Sequence, residues 1–117
     1  MRGVVLAVLV MCAGPVLAED NWRKLTTEAE AREAIEDRFL TFQFSQQWFY
    51  KSGKTLSDTG RPSWGNWRPQ GGQYCSEWPP SSVWTCYDLY LNADASKLRF
   101  DGPGGDSTVG TYGPFEP

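Results

Sequence analysis

The chain of 117 residues contains no histidine, and that single absence removes a large share of enzyme chemistry. Ser–His and Cys–His nucleophile pairs need an imidazole base, and so does a histidine-based zinc centre. Cysteine is scarce as well, with three in total. Long apolar runs are missing: the only candidate, Gly3 to Val10, is soon followed by Gly14-Pro15 and falls short of the ~20 residues a membrane span needs. Basic charge is also in deficit, with 11 Lys and Arg against 14 Asp and Glu. An acidic chain has no electrostatic reason to seek phosphate backbones, which argues against nucleic acid. Nor is there a basic amphipathic helix to hold an anionic membrane surface.

What is present begins with an export signal. Met1-Arg2 supplies a short positive end, the apolar segment follows, and Val16-Leu17-Ala18 offers modest side chains for cleavage. The expected organisation is therefore a signal peptide over 1–18 and a single domain over 19–117. No membrane span remains in the mature chain, and the destination is periplasmic or secreted. Cys12, after Leu9-Val10-Met11, gives a minor lipoprotein alternative, weakened by the bulk of Met11. Cleavage leaves 99 residues carrying 10 basic and 14 acidic side chains, a net charge of −4, because Arg2 departs.

The mature chain keeps Cys75 and Cys86. In an exported protein two cysteines most simply form a disulfide, whereas a metal site would need further N or S ligands nearby. Ten residues separate them, which is not the C-x-x-C of an oxidoreductase, so a structural staple is expected rather than a redox centre. No metal and no cofactor is expected.

Thr27-Glu28-Ala29-Glu30 matches a capping box and opens a helix over about 28–38, with Ala31, Ala34, Ile35 and Phe39 at helical spacing. From there the period drops to two. Leu40, Phe42 and Phe44 alternate with polar residues, and short segments follow around Trp48 to Tyr50, Trp64 to Trp67, Gln73 to Trp78, Val83 to Leu91, Lys97 to Phe100 and Thr108 to Tyr112. Turn signals separate them at Ser52-Gly53, Pro69 to Gly72, Pro79 to Ser82 and Gly102 to Gly105. Short turns favour antiparallel neighbours, since parallel pairs need long crossovers. The expected fold is α+β and mainly β: one N-terminal helix packed on an antiparallel meander of about six strands, able to curl toward a half-barrel.

If Cys75 and Cys86 face each other across a hairpin, Tyr74 pairs with Tyr87, Glu77 with Trp84 and Trp78 with Val83, leaving Pro79 to Ser82 as a four-residue loop. Alternation then puts Tyr74, Tyr87, Leu89, Leu91, Leu98 and Phe100 on a core face. The opposite face carries the candidate binding residues Trp84, Tyr90, Glu77, Asp88 and Arg99 around the disulfide. No catalytic residue is assigned. The segment Gly102 to Ser107 fails the dinucleotide pattern at its third glycine and lacks the lysine of a phosphate loop, so it reads as a turn.

Aromatic content is the strongest compositional signal, with Trp 6, Tyr 5 and Phe 6, every one beyond residue 18. Such side chains fill the core of a small β-domain, cover turns (the reading for Trp64, Trp67 and Trp78) or make platforms for ligands. The expected function is an exported, non-enzymatic binding module that recognises a glycan, a peptide or an envelope protein through the Trp84 face. The alternatives are an inhibitor of an envelope-directed enzyme, with Trp78 to Val83 as its wedge, and a small hydrolase using Glu77 and Asp88.

The segments "WFYKSGKTL", "GNWRPQGGQYCSEW", "WTCYDLYL" and "KLRFDGPGG" carry a Tyr-x-x-Gly hairpin, a Gly-x-Trp strand, a Cys-x-x-Trp strand and a second cysteine before an alternating strand. Tyr50, Gly53, Gly65, Trp67, Cys75, Trp78 and Cys86 fill those places. In this the chain resembles a loose group of short secreted proteobacterial proteins of unknown function, over most of 26–105. The resemblance implies a disulfide-bonded β-domain in the envelope and transfers no catalytic residue.

Overall fold

The computed structural model describes residues 21–116. The expected signal peptide and Cys12 lie outside the described residues. Nine strands and one helix follow in chain order: β1 (Trp22–Lys24), α1 (Glu28–Ile35), β2 (Arg38–Thr41), β3 (Gln46–Phe49), β4 (Lys54–Asp58), β5 (Pro62–Gln70), β6 (Gln73–Glu77), β7 (Thr85–Asn92), β8 (Lys97–Asp101) and β9 (Ser107–Gly113). Each strand from β2 to β9 pairs antiparallel with the next, and β9 returns to β2 through Leu40↔Tyr112. The sheet is thus a closed barrel of eight strands, with β1 as a ninth outside the ring. Half-barrel and six strands were too few, because β9 finds β2 across almost the whole sequence and removes the edges that an open meander would expose.

β1 occupies an unusual place. The first part of β7 pairs with β6, up to Gln73↔Asp88, and the last part pairs with β1 from Lys24↔Tyr90 to Trp22↔Asn92. So β1 takes over the edge that β6 leaves.

The helix is shorter than the sequence pattern suggests. Thr27 accepts from the Glu30 amide at 3.1 Å, and the Glu30 carboxylate accepts from the Thr27 amide, completing the capping box. At the other end, Asp37 takes φ of 52° and the chain turns into β2, so Arg38 and Phe39 belong to a strand. Ala31, Ala34 and Ile35 are buried, and the Tyr112 hydroxyl donates to the Ala34 carbonyl at 2.9 Å. α1 therefore closes one end of the barrel, where it meets β5 and β6. Gly72 makes this docking possible, since a Cβ there would collide with the Leu25 carbonyl.

Alternation sends Leu40, Phe49, Thr55, Trp67, Tyr74, Leu89, Leu98 and Phe100 inward, all of them buried. Apart from Thr55, these side chains form one continuous core with Leu25, Ala31, Ala34 and Ile35. Trp67 is core rather than turn cover, and its indole N–H donates to the Tyr50 carbonyl at 2.8 Å. Phe44 departs from the alternation. β2 stops at Thr41, the Phe42 amide bonds the Ser45 carbonyl across a tight turn, and Phe44 stands 82% exposed at its tip.

Candidate functional site

Four connections gather at the uncapped end: the β2–β3 turn, the β4–β5 turn, the loop from β6 to β7, and the β8–β9 turn. Inside this mouth lies a cavity of about 170 Å³. Five aromatic rings line it, Phe42, Tyr74, Trp78, Tyr87 and Phe100, with Ser45, Gln47, Ser76 and Thr108 between them. Phe100 sits centrally. Its ring centroid is 5.3 Å from that of Tyr74 (edge-on), 5.6 Å from Phe42 and 6.5 Å from Tyr87.

Each lining residue has a local reason to be there. Tyr74 and Ser76 are the inward pair of β6, and Tyr87 faces Tyr74 from β7 as the disulfide register requires. Past Ser76↔Thr85 that register ends, and Glu77–Trp84 and Trp78–Val83 do not pair. Pro79 and Pro80 have no amide to donate, and Trp78 turns inward over Gly65 instead, so the loop is longer than the four residues expected. A Cβ on Gly65 would come within 2.5 Å of the Trp78 ring. Gly110 does the same for Phe42, where a Cβ would lie 2.9 Å from the ring.

Polar atoms in the cavity are tied to one another. The Gln47 amide nitrogen donates to Thr55 Oγ1 at 3.0 Å and to the Tyr74 hydroxyl at 3.2 Å. The Trp78 indole N–H donates to Ser76 Oγ at 3.3 Å. Burial pushes the Tyr74 phenol up to about 12, against hydrogen bonds from Ser76 and Gln47 that favour its ionised form. Tyr87 is also raised, chiefly by burial and further by the Asp106 carboxylate at the rim.

The five residues nominated from alternation lie elsewhere. Trp84, Tyr90, Glu77, Asp88 and Arg99 belong to the convex outer wall, where each is half-buried and engaged with a neighbour. The Arg68 guanidinium lies 3.9 Å from the Trp84 ring centroid, and that of Arg99 lies 4.1 Å from Tyr90 and 5.2 Å from Trp22. Asn66 donates to Glu77 at 3.3 Å; Asp88 accepts from Gln73 at 3.0 Å and faces Lys24 at 3.7 Å. Asp88 stands opposite Gln73, four residues along β6 from Glu77. At the rise of a strand that puts their backbones about 13 Å apart, beyond the ~5–10 Å of a glycosidase pair. Between them the Cys75–Cys86 disulfide joins β6 to β7 in the expected register, with Cys75 fully buried.

Sequence reasoning missed two features. The mouth is one, because Phe42, Gln47, Trp78 and Thr108 come from separate strands and turns and meet only when the ring closes. The other is an outer row, Phe39↔Trp48↔Leu56↔Trp64, running across β2 to β5 with Phe39 and Trp48 rings 4.7 Å apart. Period-two spacing around Trp48 and Trp64 was the available signal, but their partners depend on β4, which no apolar run announces. The loop Trp78 to Val83 stands at the rim of the mouth, with Val83 69% exposed.

Fold and site together define a class: a closed antiparallel barrel with one end stoppered by a helix and the other open onto an aromatic cavity. No family model, curated protein or solved structure matches the chain. Among the described residues no helix is long and apolar enough to cross a membrane, and no cluster of His, Cys, Asp or Glu is suited to a metal ion. The disulfide is of the kind that persists in oxidising compartments.

Proposed function

We propose that the protein is an exported, non-enzymatic binding module that holds a small molecule in the mouth of its barrel. The observation that carries this reading is the lining of the open end. Its cavity of about 170 Å³ is walled by five aromatic rings, whereas the space of similar size beside α1 is edged by the charged side chains of Arg23, Glu30, Glu33 and Arg38. Barrel mouths are common sites for small ligands, with apolar walls for affinity and a few polar groups for orientation. Export is supported by the signal-like N-terminus and by the disulfide.

Plugging the mouth tests it. Thr108 points into the cavity from β9, pairs with Phe100 and is exposed at the rim, so Thr108→Phe fills the opening without entering the buried core. A panel of small aromatic and alicyclic compounds, followed by NMR at the Trp78 indole N–H, should yield binders for the wild-type chain and none for the variant. Stability should stay within about 0.5 kcal/mol, as for other surface changes. Equal shifts in both proteins would place the site elsewhere.

A second reading keeps the outer wall. It is favoured by Trp22, which β1 brings beside Arg99 and Tyr90 to extend that face into a row suited to a glycan, peptide or envelope protein. Trp84→Ala separates the two, since it would abolish binding to the wall and spare the mouth.

A further inference from the structure

The cavity's chemistry restricts its ligand further than its shape does. An anion buried there would find no counter-charge, because neither lysine nor arginine lines the cavity. Leaving a carboxylate unpaired in such a site is strongly unfavourable. The N–H donors of the lining are already spent, Gln47 on Thr55 and Tyr74, and Trp78 on Ser76. The hydroxyls of Ser45, Tyr74, Ser76, Tyr87 and Thr108 can donate or accept, and the rest of the wall is electron-rich: the Gln47 carbonyl oxygen and the π systems.

The rim adds the same sign. Asp106 folds its carboxylate over Gly102, where a Cβ would approach it within 2.5 Å, and its charge reaches the Tyr87 phenol. Asp106 and Arg61 are the charged side chains of the rim turns, and Asp106 is the one whose charge reaches a lining ring; Asp58 ends β4 with its carboxylate accepting from the Gly60 amide at 2.8 Å, and the Arg99 guanidinium is held outside by Asp101 at 3.0 Å. Size completes the case, since a cavity of about 170 Å³ lies below the ~300 Å³ that drug-sized ligands begin to require.

We propose that the mouth takes a small quaternary ammonium compound, its cationic head set among the rings of Phe42, Tyr74, Trp78, Tyr87 and Phe100. This rests on the reading of the mouth as the binding site. Aromatic rings attract such cations through their quadrupole, most strongly when water is excluded, and a head of methyl groups leaves the hydrogen bonds within the cavity undisturbed.

Three probes that share a three-methyl head decide it: choline, its uncharged isostere with carbon in place of the quaternary nitrogen, and the anion pivalate. Calorimetry and the Trp78 indole resonance should show choline saturating the site, the neutral isostere roughly ten-fold weaker and pivalate without effect. Tyr87→Leu should cut choline affinity by a similar factor and leave the isostere within about two-fold. Asp106→Asn changes only a rim turn, and should weaken choline about two- to three-fold while removing part of its salt dependence. If the neutral isostere binds as well as choline, the cation inference is overturned while the mouth remains a binding site. Silence from all three probes overturns it too, and the uncharged panel with Thr108→Phe then decides the mouth separately.

Discussion

At the scale of single residues, the tryptophans show how little identity says about role. Trp64 and Trp67 are three positions apart on the same strand, yet alternation sends one outward and the other inward. Trp64 is 56% exposed and touches the Tyr50 ring at 5.9 Å, whereas Trp67 is 4% exposed and ties its N–H to the Tyr50 carbonyl. Chemical denaturation should separate them cleanly. Trp67→Ala leaves a large void and should cost about 3–5 kcal/mol, while Trp64→Ala should cost less than about 1 kcal/mol. Gly65, between them, matters for a side chain it does not have, because the Trp78 ring fills that space.

Among elements, the β6–β7 pair was the most legible from sequence. Cys75↔Cys86 and Tyr74↔Tyr87 stand where the disulfide arithmetic puts them, because a covalent link fixes one rung and strand geometry fixes the rest. Replacing both cysteines by alanine should lower stability by about 2–3 kcal/mol through the freed denatured chain. For a domain of this size that is a fall of roughly 10–20 °C in Tm, readable by circular dichroism. The ladder hydrogen bonds remain, so ligand capture at the mouth should survive at low temperature. Legibility failed where pairing is not local. Short hairpins announce themselves through turn residues, but β4 (KTLSD) has a single apolar side chain, and β1 is a strand only because β7 offers it an edge. Trp84 lies over Arg68 on the outer side of the wall, although the pairing with Glu77 from which that placement was reasoned does not form. That the core side would be hollow at one end depends on closure between β2 and β9, which no local pattern encodes.

For the whole molecule, the closed ring ties titration to global unfolding. Tyr74 from β6 and Tyr112 from β9 both project inward, and burial pushes each phenol up to about 12 from an ordinary 10. Below pH 10 both states keep their protons and stability is complete. Between pH 10 and about 12 the unfolded chain loses protons first, so stability falls as pH rises, by on the order of 2 kcal/mol for Tyr74 alone. The phenolate absorbance lost in Tyr74→Phe should therefore appear together with the loss of near-UV dichroism, near pH 12. Ionisation of Tyr74 well before the fold is lost would contradict its enclosure.

The ring has a front and a back. β1 enters beside Asn92 and β9 ends at Gly113, next to the helix that stoppers the barrel, so both ends of the described chain emerge there. The mouth points the opposite way. A tether on either end, whether to a bead, a fusion partner or a surface, holds the vessel by its base and leaves the opening turned outward.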